Sequence, residues 1–392
     1  MSTTVTPVAN SKTQAQSSSQ WKRSLGVSLL GIVIGFALAA IIIVLKGKPL
    51  GQSLSALIDG SLTSGFAIGN TLNKAAALLF VACGFIVAIK GGLVNIGGEG
   101  QILVGGVGAV AAAIATKGLP GPLPLVIALI AGFTAGGLWG SIAGWLKARL
   151  GVNEVIVTLL LNYLAANLIE YALDTKALLR DGDAEPQSAE VPGVGRLARL
   201  LPDSTSQVHL GVLLAALVAG LVWFVLRKTV PGMKVRMLGH NPQMAARAGV
   251  SLKRMPVAVM FLSGGLAGLA GCSMLLGEQY RARPGFSPGY GFDGVAVALI
   301  ARNNPLAAIP AAVLFGALRA GGNLLEAKMQ VSQALVLVIQ GTIILAVAGT
   351  AFLLKRKNVE TPSDGPSVEP HVGSAVASSA ESKVAPVGEV AV

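Results

Sequence analysis

Lys90-Gly91-Gly92-Leu93-Val94-Asn95-Ile96-Gly97-Gly98-Glu99-Gly100-Gln101 is a polar, glycine-rich stretch set between two apolar segments. Hydropathy places Asn95, Glu99 and Gln101 at or just inside a lipid bilayer, where each unsatisfied polar group costs several kcal/mol. Five glycines in twelve positions favour an unwound connection over a straight helix. Backbone of that kind is tolerated at membrane depth only where protein encloses it or a watery cavity runs beside it. The stretch therefore reads as a broken-helix connection enclosed by protein. Glu99 then stands near the N-terminus of the apolar helix starting at Gln101, where the helix dipole favours an anion by about 0.3 to 1 kcal/mol. The competing reading is a cytoplasmic turn whose acid faces water.

Composition sets the frame for that stretch. The chain has 392 residues, of which 53% are hydrophobic and 12% charged, and its mean hydropathy is +0.69. A soluble domain carries about 25% charged residues, so this is an integral membrane protein. Its net charge of +12 comes from short Lys and Arg clusters beside apolar segments, which is the positive-inside pattern and argues against nucleic-acid binding. Cys83 and Cys272 lie inside apolar segments and read as small buried hydrophobes. His209 and His240 stand apart from any ligand cluster and His371 lies near the C-terminus, so neither a metal nor another cofactor is called for.

Apolar segments fall at approximately 24–45, 75–89, 101–116, 122–146, 152–173, 208–226, 255–276, 291–301, 305–320 and 331–354. The expected fold is an all-α integral membrane protein of about ten transmembrane helices, some short or broken, with disordered termini. Residues 1–20 and 357–392, rich in small and polar residues, are the expected disordered tails, and 21–356 the polytopic transmembrane domain. The segments starting at Ala75, Gln101 and Gly291 are short for a hydrocarbon core about 30 Å thick, as helices broken around a permeation path would be. Charge sets the expected sidedness. The loop 227–254 and the cluster Lys355-Arg356-Lys357 are basic and cytoplasmic, the acidic stretch 174–207 is extracytoplasmic, and both termini are cytoplasmic. Lys46, Lys48, Arg281 and Arg283 go against that rule. Gly264, Gly268 and Gly271 give one helix a flat face for close contact with another.

Within the basic loop, Asn241-Pro242-Gln243-Met244-Ala245-Ala246-Arg247-Ala248-Gly249 carries its own boundaries. Asn241 suits the cap, Pro242 the first helical position and Gly249 the stop. A helix so short is marginal alone, so its apolar patch of Met244, Ala245 and Ala248 expects a partner's groove or the chain's own membrane domain. No phosphate-binding loop precedes Lys12-Thr13 or Lys228-Thr229, so the chain is not an ATP-hydrolysing enzyme. Energy must come from a partner or an ion gradient.

Five blocks together resemble the permease subunits of bacterial ATP-binding-cassette importers in the branched-chain amino acid, simple-sugar and nucleoside group. They are Gly92 to Gln101, Asn153 to Thr158 with Leu161-Asn162-Tyr163, Gly239 to Pro242 with Ala245 to Arg247, Ser263 to Gly271, and Gly291 to Leu299 with Arg302 to Pro305. The blocks at Gly92 and Asn153 most resemble the nucleoside branch. The resemblance implies a multi-pass protein of the bacterial cytoplasmic membrane that pairs with a second, similar permease, docks ABC ATPase subunits and receives cargo from an extracytoplasmic substrate-binding protein. Candidate pathway residues are Asn95, Glu99, Gln101, Asn153, Glu154, Asn162 and Asp293. Candidate ATPase-coupling residues are Asn241, Pro242, Met244, Ala245, Arg247 and Ala248. The acids of Glu99-Gly100 and Asp293-Gly294, each before an apolar helix, suggest a pseudo-repeat, while Asn153 and Asn162 equally suit bridges between helices. A simple-sugar permease is the alternative. A secondary carrier would want more intramembrane charges than the three acids Glu99, Glu154 and Glu170.

Overall fold

The computed structural model describes residues 47–176, 178–182, 185–201 and 205–329, with scattered positions before and after. The expected first and last spans and both tails therefore lie outside, or mostly outside, the described residues. The helices are α1 (Leu50–Ser61), α2 (Gly65–Lys90), α3 (Gly98–Ala115), α4 (Leu123–Leu150), α5 (Glu154–Asp174), α6 (Gly211–Lys228), α7 (Val230–His240), α8 (Pro242–Arg247), α9 (Met255–Met274), α10 (Tyr290–Ile300) and α11 (Ala308–Met329). A π-helical turn, Leu275–Gln279, continues α9. No strand forms among the described residues.

Seven of these helices are long and apolar enough to cross a membrane, and α10 is a shorter apolar helix. The fold is thus all-helical and multi-pass, as the hydropathy implied. Two differences stand out. The segment expected from Ala75 is the second half of the 26-residue α2, so it is not a short span. α1, which no span was assigned to, packs on α11 and α2.

α2 and the α9–π unit form the centre. In each, 83% of the most apolar window is buried, whereas α4, α5 and α6 bury 28%, 22% and 33% and present aliphatic side chains outward. α9 lies against α4, α2 and α3, and small residues make that approach possible. A methyl added at Gly268 would lie 2.3 Å from the Gly132 carbonyl oxygen, and one at Gly264 would lie 2.4 Å from that of Gly136. Backbones this close gain dispersion that larger residues would forbid, which is how membrane helices associate where lipid tails are as apolar as leucine.

Residues 178–182 and 185–201 fold over the end of α9. Ser188 and Val191 donate backbone hydrogen bonds to the carbonyls of Ala282 and Tyr280, and Leu197 to that of Leu276. This explains two charges that break the positive-inside rule. Arg281 pairs with Asp181 at 3.5 Å and Glu190 at 3.2 Å, and Arg283 donates to the Gln187 side-chain oxygen at 3.2 Å. Lys48 instead donates to the Met329 carbonyl at 2.8 Å.

The guanidiniums of Arg196 and Arg281 hold the Glu190 carboxyl below the ordinary carboxylate range. A depressed folded value means its contribution is present above the unfolded pKa, about 4.3, and is lost as pH falls through the folded one. Glu190→Gln should therefore raise hydrogen exchange across 185–201 at pH 7. The difference from wild type should shrink as pH falls through the folded carboxyl's own value, and a difference that stays constant as the carboxyl becomes protonated would refute the charge-based account.

Candidate functional site

Beyond Lys90 the helix ends in a turn with Gly92 at φ +74°, a left-handed conformation that glycine adopts without strain. Residues 93–97 are unwound and α3 restarts at Gly98, so the stretch is an enclosed break and not a water-facing turn. Asn95 is 4% exposed and uses its whole amide. It donates to Gln101 Oε1 at 2.9 Å and Ser263 Oγ at 2.7 Å, and accepts from Gly97 N at 2.9 Å and Gln101 Nε2 at 3.1 Å. Both donors and both lone pairs are therefore spent inside the protein. α5 holds the other edge of the loop. Asn162 donates to the Ile96 carbonyl at 3.0 Å and accepts from Gly100 N at 2.8 Å, while Thr158 accepts from Ile96 N at 3.3 Å.

The restarted helix meets α10 end to end. An added methyl at Gly291 would lie 2.1 Å from Glu99 N, and Gly98 sits beside Val81 in the interior of α2. Glu99 does not use its own helix N-terminus as expected. Its carboxylate accepts from Gly289 N at 3.0 Å and Gly291 N at 2.7 Å, at the start of α10. An anion there satisfies orphan amides of the facing helix and complements its dipole.

A turn further along α10, Asp293 accepts from Arg319 Nε at 2.7 Å. The same guanidinium donates to the Pro288 carbonyl at 2.8 Å and lies over the Tyr290 ring at 3.9 Å. Lys74, half-buried on α2, lies within electrostatic range of Tyr290, Glu278 and Arg319. The two acids of the suggested pseudo-repeat thus meet at one cluster of buried and half-buried charges on four helices and the π turn.

Asn153 and Glu154 lie elsewhere. Asn153 is exposed and caps α5, accepting from Val155 N at 2.9 Å, and Glu154 pairs with Lys147 at 2.9 Å. Both tie the α4–α5 junction. Glu170 is exposed. Sequence reasoning passed over Lys74, Glu278, Tyr290 and Arg319. The signal was a single charge inside or beside an apolar segment, as at Lys74 and Arg319.

α8 has the expected boundaries. Asn241 Oδ1 accepts from Met244 N at 3.1 Å, Pro242 begins the helix, and Gly249 follows at φ +81°. The apolar patch, however, does not form one surface. Ala245 is fully buried, whereas Met244 and Arg247, with Ala248 just past the helix, are exposed. Through α7 this element touches the break itself, since a methyl at Gly239 would lie 2.3 Å from the Lys90 carbonyl and 2.8 Å from Gly92 N.

Residues 67–348 match the family model described as branched-chain amino acid transport system, permease component. The guanosine ABC transporter permease of Bacillus subtilis is 35% identical over 83% of this chain and 93% of its own. The nucleoside ABC transporter permease of Lactococcus lactis subsp. cremoris is 33% identical over 76% and 84%. The glucose ABC transporter permease of Haloferax volcanii is 31% identical over 86% and 93%. Both bacteria contribute a second, more distant permease named for the same cargo. No solved structure matches the chain at a significant level. The family model's match over residues 67–348, with relatives at least 31% identical over most of both chains, establishes that this protein belongs to the branched-chain amino acid transport system permease family of multi-pass membrane permeases.

Proposed function

We propose that the chain is one permease of an ATP-driven nucleoside importer, with hydrolysis on a partner ATPase and a second, different permease completing the pathway. The reading rests on the guanosine and nucleoside permeases that it resembles. The glucose permease, nearly as similar, keeps a simple sugar as the second reading. The ribose of a nucleoside and a free sugar share the hydroxyl chemistry that fixed donors and acceptors recognise.

In this reading α8 faces the cytoplasm and the loop Leu178 to Leu201 faces the extracytoplasmic binding protein. Both termini lie on the α8 side. Glu99 and Asp293, with Arg319, Lys74 and Tyr290, border the path of the solute. Asn95 has no hydrogen-bonding capacity to spare for it, and with Gln101 and Asn162 it positions the break instead, while Asn153 and Glu154 steady the α4–α5 junction.

The observation that carries the coupling is the contact of Gly239 with Lys90 and Gly92. Any shift of α8 is passed by α7 to the turn that leads into Asn95, Gly98 and the Glu99–Gly291 junction. The ATPase grips Met244, Arg247 and Ala248, covering apolar residues that a free loop would leave in water. The test is uptake of radiolabelled guanosine and glucose by proteoliposomes holding the assembled transporter. ATP-dependent entry of guanosine in excess over glucose is expected. Arg247→Glu and Ala248→Trp should each lower uptake and stimulated ATP turnover together by about tenfold, or about 1.4 kcal/mol of coupling. Glucose entry without guanosine would select the sugar reading, and guanosine entry without ATP would overturn the ATP-driven mechanism.

A further inference from the structure

A cavity of about 790 Å³ opens between the last turns of α4 and the first turn of α9, away from the charge cluster. One wall is apolar, with Trp145 and Phe261. The rim carries Arg149, Lys253 and Arg254 beside the Ser251 hydroxyl, and the lining contains no acid. Among the described residues none of these three cations has a carboxylate partner, whereas Lys147, half a turn from Arg149, is spent on Glu154. α9 begins here without a side-chain cap, so its N-terminal dipole adds to the positive potential.

The apolar wall does not stop at the cavity. Leu138, Ile142 and Trp145 are 63%, 39% and 51% exposed and follow one another at four and three residues, forming a stripe that runs along α4. A cationic mouth leading into an apolar track along a span is amphipathic in the sense of a phospholipid, phosphate at one end and acyl chain at the other. A short acidic segment of a protein partner would use the mouth and leave the track unexplained. Basic pockets between helices at the membrane surface, edged by tryptophan, are suited to anionic headgroups.

We propose that this cavity binds an anionic phospholipid, with its phosphate among Arg149, Lys253 and Arg254 and its chain along Trp145, Ile142 and Leu138. The site lies on the α8 side, against the short linker that follows α8, so the bound lipid braces that linker. Each cation is expected to contribute about fivefold in affinity, and the three together about a hundredfold.

The test uses the purified full-length chain in mixed micelles with brominated-chain phosphatidylglycerol or phosphatidylcholine. Trp145 fluorescence is isolated as the quenching lost in Trp145→Phe. Phosphatidylglycerol should quench Trp145 at a mole fraction at least about tenfold lower than phosphatidylcholine. That preference should disappear in the triple variant Arg149→Gln, Lys253→Gln, Arg254→Gln. It should persist in the charge-keeping variant Arg149→Lys, Arg254→Lys, which also guards against loss of fold in the first. Equal quenching by both lipids in wild type, or an undiminished preference in the triple glutamine variant, overturns the proposal. So does a triple variant that keeps the lipid preference while losing ATPase-subunit assembly, since the cavity would then belong to a protein partner.

Discussion

Arg319→Leu should lower the stability of the folded protein by about 3 to 5 kcal/mol, because it leaves Asp293 as a buried carboxylate with its counter-charge gone. Both side chains are about nine-tenths buried and meet at 2.7 Å. The substitution also removes the donor to the Pro288 carbonyl and the cation over Tyr290. The cost comes chiefly from the charge left behind and not from the net worth of the pair. The double variant Asp293→Asn with Arg319→Leu should therefore recover at least half of the loss. Thermal unfolding in detergent checks this by the order of the midpoints: wild type highest, the double variant next, Arg319→Leu lowest. A double variant no better than Arg319→Leu would show that the guanidinium matters through Pro288 and Tyr290 alone.

Gly291→Ala should reduce solute uptake by at least about tenfold while leaving the protein inserted in the membrane. The added methyl would lie 2.1 Å from Glu99 N and 2.7 Å from its Cα, both backbone atoms with no rotamer to yield. The starts of α3 and α10 would have to separate. Overpacking of this kind costs about 1 to 3 kcal/mol, and here it falls on the two hydrogen bonds that Glu99 makes to α10. Gly220→Ala on α6 is the control, since its methyl would meet nothing within 4 Å. Uptake by both variants at the wild-type rate would remove the α3–α10 junction from the transport mechanism.

Features that depend on neighbours along the chain were legible before any coordinates. The boundaries of α8 follow from Asn241, Pro242 and Gly249, each acting within its own turn. The break between α2 and α3 follows from five glycines and the cost of unsatisfied polar groups in lipid. The close helix face follows from the spacing of Gly264 and Gly268. The family likeness also came from local blocks of residues.

What sequence alone left undecided depends on partners distant in the chain. The second span was expected from Ala75, but α2 begins at Gly65 and takes in Asn73, whose amide donates to the Gln207 carbonyl at 2.8 Å. Arg281 and Arg283 broke the charge rule until Asp181, Glu190 and Gln187 were folded over them. Ala245 and Met244 are adjacent and both apolar, yet only the packing of α8 turns one inward and the other out. Sequence determined a polytopic helical permease with a broken helix near residue 95 and a short capped helix at 242, because hydropathy, caps and glycine act over a few residues. Only the tertiary structure decided that Glu99 serves the start of α10, that Arg319 answers Asp293, and that α7 bears on the break, because a buried charge is satisfied by whatever the fold brings to it.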